Sequence, residues 1–495
     1  MKKSIIYIFL FALIFGACDE GFEELNVNPL ASPQIEANSK FTATQLKTSG
    51  ERYEAWRANL IYQSTMMQHF ASTAGYWSGD KYSWNRGYAA SLFDRYYSGP
   101  VKGIEDIVAQ LIAEEQPAEM IAIAKIQRVV IYSRLTDVYG DIPYSEAGRG
   151  YLEGILKPKY DTQADIYADM LKELEESAAA LGSGQSKFGE ADIMFQGDQA
   201  KWKKYANSMM LRLGLRLIKV DAAGAQSWAT KAIAGGVMTS NNDIAYIQHT
   251  TGPDGINKNG NGEVFSADGN PRMSKTFIDF LQDDPRLPIL ASRRSDGSTA
   301  SADLKGLPNG LDSGLLLAAT GEDNTDAYAE PNRSIITGED APMFFQTYAE
   351  VEFMLAECAE RWGLAGGNVE SHYNAGVTAA MKYLGMYGAA ADIADADITT
   401  YLANNPFDNT KAIEMIANQY WAATFLNDYE TFANWRRVGY PQLVPTNYTG
   451  NETNGTIPRR LTYPTSEQTS NPDNYSSAIS AQGPDVLTTR VWWDK

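Results

Sequence analysis

Residues 160–182 read YDTQADIYADMLKELEESAAALG, and this stretch indicates the class of fold. Its apolar residues recur every three or four positions and so share one face of a helix: Ile166, Met170, Leu174, Ala178 and Leu181. Thr162 and Asp165 resemble a capping box at its start, and Gly182 suits its end. The stretch therefore predicts an amphipathic helix that buries one side against a neighbour.

Further helices are predicted on both sides of this one. The upstream stretch MIAIAKIQRVVIYSRLTDVYG (120–140) is apolar nearly all round, which predicts a buried helix that ends at Gly140. Downstream, GDQAKWKKYANSMMLRLGLRLIKV (197–220) can be capped by Asp198. Later pairs are FFQTYAEVEFMLAECAERWG (344–363) with NVESHYNAGVTAAMKYLG (368–385), and NTKAIEMIANQYWAATFLND (409–428) with YETFANWRR (429–437). Helix pairs with short loops predict a mainly α fold with a tetratricopeptide-like scaffold, degenerate because no strict 34-residue period is visible.

Two regions interrupt the helical pattern. Residues 241–340 are dense in Gly, Asn, Asp and Pro, which predicts loops with a few short strands, and a loop-rich insertion of this length is usually functional. Residues 440–495 are also irregular, and their aromatic residues and prolines predict a tail that packs on the body. We therefore expect one body over 41–495, with its helical scaffold at 41–240 and 341–440.

The N-terminus carries an export signal. Lys2 and Lys3 precede an apolar run at 5–15, and the small residues Gly16 and Ala17 precede Cys18. The pattern predicts a signal peptide over 1–17 and a mature chain that begins at a lipidated Cys18. The alternative is an ordinary signal peptide followed by an incidental cysteine. The polar, acidic residues 18–40 are then a tether to the body.

Composition excludes some function classes. The chain has 61 acidic and 42 basic residues, for a net charge of −19, which argues against nucleic-acid binding. The three histidines are far apart in sequence, so no local zinc signature exists, and no phosphate-binding or nucleophile motif follows a strand-like run. Cys358 lies in an amphipathic stretch and is expected to be buried. We expect no cofactor and no metal.

A calcium-like spacing is present in the insertion. Asn257, Asn259, Asn261, Gly262 and Asp268 match five positions of an EF-hand loop. Their first three ligand positions are neutral amides, so a simple Asn/Gly turn is favoured over a calcium site.

The candidate ligand-binding residues are aromatic. Five rings lie within residues 76–88 beside Gly and Ser: Tyr76, Trp77, Tyr82, Trp84 and Tyr88. Sugar rings pack on such planes, and Asp80, Asn85 and Arg86 could bind hydroxyl groups. Tyr328 is a weaker candidate in the insertion. The alternative is that these rings fill the core between two lobes.

The order of motifs along the chain resembles the SusD/RagB family of outer-membrane lipoproteins, in its second, SusD-like branch. The stretches that carry the resemblance are ELNVNP (24–29), RLTDVYGDIPYSEA (134–147), the helices at 160–182 and 196–216, DDPRL (283–287), YAEVEFMLAECAERW (348–362), NWRRVGYP (434–441), IPRRLTYPTSE (457–467) and RVWWDK (490–495).

The resemblance implies a scaffold of four degenerate tetratricopeptide-like units, an irregular ligand-facing lobe and no enzyme activity. It implies a lipid-anchored protein on the outer face of the outer membrane that captures oligosaccharide, or peptide, for a SusC-like TonB-dependent transporter. The acids at 19, 20, 23 and 24 resemble an export signal to the cell surface, or form a solvated tether. Arg436, Arg437, Arg459, Arg460 and the terminal tryptophans are expected to be structural. The alternative function is an anchored, carboxylate-dependent glycan hydrolase, because sequence does not give the spacing of carboxylates.

Overall fold

The computed structural model describes residues 35–252 and 257–495. The predicted signal peptide, Cys18 and most of the tether lie outside these residues. Helix makes up 58% and strand 6% of the structure, which confirms the mainly α class. Within the described residues, no helix combines the length and the apolarity that crossing a bilayer requires.

Fifteen helices of eight residues or more are described. They are α1 Ala37–Ser49, α2 Ala55–Ser64 (a π-helix), α3 Lys102–Ala113, α4 Ala118–Tyr139, α5 Gln163–Ala180, α6 Gln199–Arg216, α7 Ala222–Gly235, α8 Gly260–Ala267, α9 Ser313–Thr320, α10 Tyr348–Trp362, α11 Val369–Lys382, α12 Asp395–Asn404, α13 Ala412–Ala423, α14 Asp428–Val438 and α15 Pro472–Gln482. Shorter helices include Arg86–Ala89, Ser91–Tyr96, Gly150–Glu153, Lys275–Phe280, Leu287–Leu290 and Thr465–Ser470.

The strands are short, and most of them pair with a strand that is distant in sequence. They are β1 Phe70–Ala71, β2 Ile142–Pro143, β3 Tyr160–Asp161, β4 Ala245–Gln248, β5 Arg272–Met273, β6 Ala291–Arg293, β7 Ala329–Pro331 and β8 Pro342–Gln346. The antiparallel pairs are β1 with β5, β2 with β3, β4 with β8 and β6 with β7. Phe70 lies opposite Met273, so β1 joins the N-terminal helices to the insertion.

The helices pack as successive neighbours, as the sequence predicts. In the first half α3 packs on α4, α4 on α5, α5 on α6 and α6 on α7, while α10 packs on α11 and α13 in the second. Helix α14 contacts both α2 and α4 and so joins the two halves. Thr162 accepts a hydrogen bond from the backbone N–H of Asp165, and Asp198 caps α6, which confirms both predicted starts.

Buried ion pairs occur in the scaffold and in the C-terminal tail. Arg437 on α14 binds Glu357 on α10 through two bonds of 2.6 and 2.5 Å. Arg460 pairs with Asp485 at 3.0 Å, and Arg459 binds Asp494 next to the buried Trp493. Arg436 instead donates to backbone carbonyls, among them that of Asp137. These arginines are structural, as expected. Cys358 is fully buried, as its amphipathic stretch predicts.

Four local predictions differ from the structure. Residues 241–340, predicted as loops with a few short strands, also contain the helices α8 and α9. Helix α1 begins at Ala37, inside the predicted tether. Phe344 and Phe345 belong to β8, because residues 342–346 pair with β4 instead of extending α10. The tail packs on the body, but it contains Thr465–Ser470 and α15, whose polar sequences give little periodic signal.

Candidate functional site

The aromatic segment 76–88 divides between core and surface. Trp77 and Tyr82 are buried, with the Trp77 indole N–H donating to Asp268 Oδ2 at 2.8 Å and the Tyr82 hydroxyl accepting from the Thr446 N–H at 3.2 Å. Gly79 explains this placement: a Cβ there would lie 2.1 Å from the carbonyl oxygen of Ile61, so the segment lies directly against α2. Neither ring offers a face to a ligand in this structure. This agrees with the alternative interpretation, in which these rings fill the core.

Buried Asp80 fixes two other parts of the chain to this segment. Its Oδ2 accepts from the Gly310 N–H at 3.1 Å, and its backbone carbonyl accepts from the Thr446 hydroxyl. Burial raises the pKa of the Asp80 carboxyl, and the adjacent Lys81 ammonium, 3.2 Å from Oδ1, opposes that rise. The insertion and the C-terminal tail therefore meet at a defined position.

A groove of about 570 Å³ lies where the insertion and the tail meet. Its walls combine apolar and polar side chains: Leu315 and Val444 are exposed, Thr276, Asn309 and Tyr448 are half-buried, and Gln68 is buried. The Tyr448 hydroxyl donates to Asp312 Oδ2 at 2.9 Å, which fixes its ring at the rim. The volume lies in the usual range for a small-molecule pocket, roughly 300–1,000 Å³.

Tyr76 is the most exposed ring of the segment. It is 39% exposed, and its hydroxyl donates to Asp268 Oδ2 at 2.9 Å and accepts from Asn270 Nδ2 at 2.7 Å. Burial and the Asp268 carboxylate raise the pKa of this phenol to about 12, so it stays neutral. Trp56 of α2 meets it edge-on, with centroids 6.2 Å apart and planes at 88°. We call this pair of rings the aromatic corner.

Two arginines lie near the aromatic corner, close to the start of α2. The Arg52 guanidinium lies 5.3 Å from the Trp56 ring, and that of Arg57 lies 3.7 Å from the Tyr53 ring and 5.2 Å from that of Tyr88. Tyr53 and Trp56 are not among the residues that the sequence predicts to bind ligand. The spacing of Arg52, Tyr53, Trp56 and Arg57 places them on one helix side and would have identified them.

The remaining candidate rings are separate from the aromatic corner. Trp84 is half-buried, donates to the Thr462 hydroxyl at 2.8 Å and lies under Arg86, whose guanidinium is 4.0 Å from the ring. Tyr328 is fully buried in a small cluster with Leu307 and Leu316, and it donates to Glu322. Tyr328 therefore offers no ring face to a ligand in this structure.

The calcium-like spacing does not fold as a loop. Residues Gly260–Ala267 form α8, which Asn259 caps by accepting from the Gly262 N–H at 3.1 Å. Asn261 donates to the Leu426 carbonyl at 3.2 Å, and Asp268 binds the two rings described above. Across residues 35–252 and 257–495, no cluster of three or more His, Cys, Asp or Glu side chains is arranged to hold a metal ion.

A second groove of about 960 Å³ lies between the β6–β7 pair and α12. Two of its carboxylates are held by arginines: Asp284 by Arg286 at 2.6 Å, and Glu330 by Arg294 and Arg333 at 2.9 and 3.0 Å. Three further carboxylates, those of Asp283, Asp392 and Asp397, also line this groove.

Comparisons with known proteins agree on one family. The sequence profile of the second SusD-like family, described as "Starch-binding associating with outer membrane", matches residues 29–464. A solved chitin-binding protein is 33% identical with a TM-score of 0.83, over 93% of this chain and 100% of its own. A chitin-binding SusD homologue from Flavobacterium johnsoniae is 24% identical with a TM-score of 0.77, over 93% and 98%. A SusD homologue from Bacteroides uniformis is also 24% identical, with a TM-score of 0.78 over 93% and 100%. None of the curated proteins compared by sequence matches the chain.

Proposed function

The chain belongs to the second SusD-like family, and from that premise we propose that it captures oligosaccharide at the cell surface for a SusC-like TonB-dependent transporter. The family description associates its members with starch binding and the outer membrane. The 33% identical relative is a chitin-binding protein, so we propose β-linked N-acetylglucosamine oligomers as the first ligand class to test. A lipidated Cys18 anchors the body to the outer membrane, facing the exterior.

The aromatic corner is the observation that supports capture most directly. Two rings at a right angle can contact two faces of a sugar chain. Tyr76 is held by two hydrogen bonds, so little side-chain freedom is lost when a ligand binds. The Arg52 guanidinium lies beside the Trp56 ring and supplies donors for hydroxyl or acetamido oxygens, whereas both amide N–H groups of Asn270 already donate to Tyr76 and Asp268. Trp84 remains a proposed additional contact.

Calorimetric titration with chito-oligosaccharides tests the site, with malto-oligosaccharides as the comparison ligand. Stacking is worth about 1–3 kcal/mol per ring in nucleic-acid complexes, so Trp56→Ala and Tyr76→Ala should each weaken binding about tenfold. Trp228→Ala is a matched control, since Trp228 of α7 also carries a cation over its ring, Lys231 at 4.3 Å. Unchanged affinity in both corner variants would reject the corner as the site.

The same protein samples distinguish a capture protein from a hydrolase. A capture protein leaves the oligosaccharide intact, so chromatography after prolonged incubation should recover the starting chain length. Shorter products formed by the pure protein would support the hydrolase alternative instead.

A further inference from the structure

A third groove, of about 600 Å³, lies between parts of the scaffold that are distant in sequence. One wall is the segment just before α6, another is β4 with the turn that leads into it, and the third is the end of α11 with the turn after it. We call this cavity the Tyr246 groove. Its volume lies in the usual range for a small-molecule pocket, roughly 300–1,000 Å³, and no residue of the aromatic corner lines it.

Tyr246 supplies a fixed aromatic plane in this groove. Side chains alternate along β4, so Tyr246 and Gln248 lie on one side of the strand while Ala245 and Ile247 are buried on the other. Phe344 of β8 lies opposite Tyr246, with ring centroids 6.1 Å apart, and Tyr383 meets Phe344 edge-on at 5.1 Å. Because buried rings support it on one side, the half-buried Tyr246 ring keeps its orientation in the groove.

The segment before α6 is held by one buried carboxylate. The backbone N–H groups of Met194 and Phe195 donate to Asp192 Oδ1 at 3.1 and 3.3 Å, and that of Gly197 donates to Oδ2 at 2.9 Å. The Trp202 indole of α6 also donates to Oδ2, at 2.6 Å. Both walls are therefore in place before a ligand arrives, so binding loses little conformational freedom.

The polar groups of the groove are mostly uncharged and free. In the described part of the chain, the side chains of Gln196 and Asn242 and the Tyr246 hydroxyl make no hydrogen bond within the protein. The Gln248 amide donates to a backbone carbonyl, and its Oε1 is free. Amide groups both donate and accept, as sugar hydroxyl groups do. None of the described residues that line this groove is acidic, in contrast to the two grooves described above.

We propose that the Tyr246 groove is a second saccharide site, which takes a neutral sugar unit against the Tyr246 ring and binds its hydroxyl groups through Gln196, Asn242 and Gln248. The C–H face of a sugar packs on an aromatic plane, and its hydroxyl groups meet the polar groups around that plane. An acidic sugar is not favoured, because the Lys382 ammonium already pairs with Asp395 at 2.6 Å. The proposal rests on the saccharide capture proposed above and adds a site that shares no residue with the aromatic corner.

Equilibrium dialysis tests the second site by counting the sugar molecules bound per chain, with chitotriose and maltotriose as the probes. The wild type should bind two molecules at saturation and Tyr246→Ala should bind one. The double variant Trp56→Ala/Tyr76→Ala lacks the aromatic corner and should also bind one, and adding Tyr246→Ala to it should remove the last. Tyr151→Ala is the control, because Tyr151 is 90% exposed and lies outside both sites, so this variant should bind two.

The two proposals fail separately in this experiment. If Tyr246→Ala binds as many molecules as the wild type, the second site is wrong, and the loss of one molecule in the corner variant leaves the capture proposal standing. If the corner variant binds as many as the wild type and Tyr246→Ala binds one fewer, the groove is the site and the corner fails. If neither probe binds the wild type, both proposals are rejected.

Two further variants distinguish a lost contact from a lost fold. Tyr246→Phe keeps the ring face and should keep the second molecule bound. Asn242→Ala removes a free amide at an exposed position, and in the corner variant it should weaken binding about fivefold, the effect of one hydrogen bond, with no change in melting temperature. If Tyr246→Phe lost the second molecule, or if Asn242→Ala left the affinity unchanged, the groove would not bind sugar in the way proposed.

Discussion

A single carboxylate binds two neighbouring rings that lie in different environments. Asp268 accepts from the Trp77 indole in the core and from the Tyr76 hydroxyl at the surface. The sequence predicts that residues 76–88 are rich in rings, but it does not predict which rings point outward. That depends on the contact of Gly79 with the Ile61 carbonyl, which exists only after α2 has packed against the segment.

Trp77→Ala should therefore act on stability. Replacing a fully buried Trp by Ala usually costs about 3–5 kcal/mol, and here the variant also leaves Asp268 without one of its donors. Urea unfolding of the wild type and the variant measures the change, and titration at a temperature where both are folded measures affinity. Unaltered stability together with a tenfold loss of glycan affinity would show that Trp77 contacts ligand.

At the scale of elements, local signals predicted helices better than strands. The starts of α5 and α6 follow from Thr162 and Asp198, because a cap is a contact within four residues. Phe344 and Phe345 of β8 are predicted in a helix because the partner strand β4 lies almost 100 residues earlier, and no local pattern encodes that pairing. The same reason explains why the candidate groove, formed by residues near 310 and 446, was not predicted as a cavity.

The cap of α5 can be measured. Thr162→Ala removes the acceptor for the Asp165 N–H, which should lower the free energy of unfolding by about 1 kcal/mol. Thr399→Ala is the matched control, because Thr399 is exposed inside α12 and donates to the Asp395 carbonyl four residues earlier. Alanine is a better helix former there, so the control should change stability little. Equal losses in both variants would contradict the capping role.

At the scale of the whole molecule, buried carboxylates couple stability to pH in opposite directions. Burial raises the pKa of Glu54 to about 7, and its Oε1 accepts from the Glu51 N–H at 2.7 Å at the start of α2. For Glu357, burial acts in the same upward direction, but the guanidinium groups of Arg437 and Arg361 outweigh it and lower the pKa to about 2. The ordinary value for both is 4.5.

These shifts give two separate pH windows. The folded state binds the Glu54 proton more tightly than the unfolded state, so this contribution to stability is complete below pH 4.5 and is lost as pH rises to about 7. The folded state holds Glu357 ionised, so that contribution is present above pH 4.5 and is lost as pH falls to about 2. Each shift corresponds to about 3 kcal/mol.

One variant of each carboxylate tests which pH window that carboxylate controls. Glu54→Gln keeps the oxygen that accepts from Glu51 but cannot ionise, so its stability relative to wild type should rise between pH 4.5 and 7 and stay flat below that. Glu357→Gln leaves Arg437 without its bidentate partner and should be less stable at neutral pH, but the deficit should shrink as pH falls below 4.5, because the wild type then loses the same ion pair. Urea unfolding at closely spaced pH values measures both differences. If the two variants changed in the same window, or if the Glu357→Gln deficit were independent of pH, the carboxylates would not have the opposite roles that their surroundings give them.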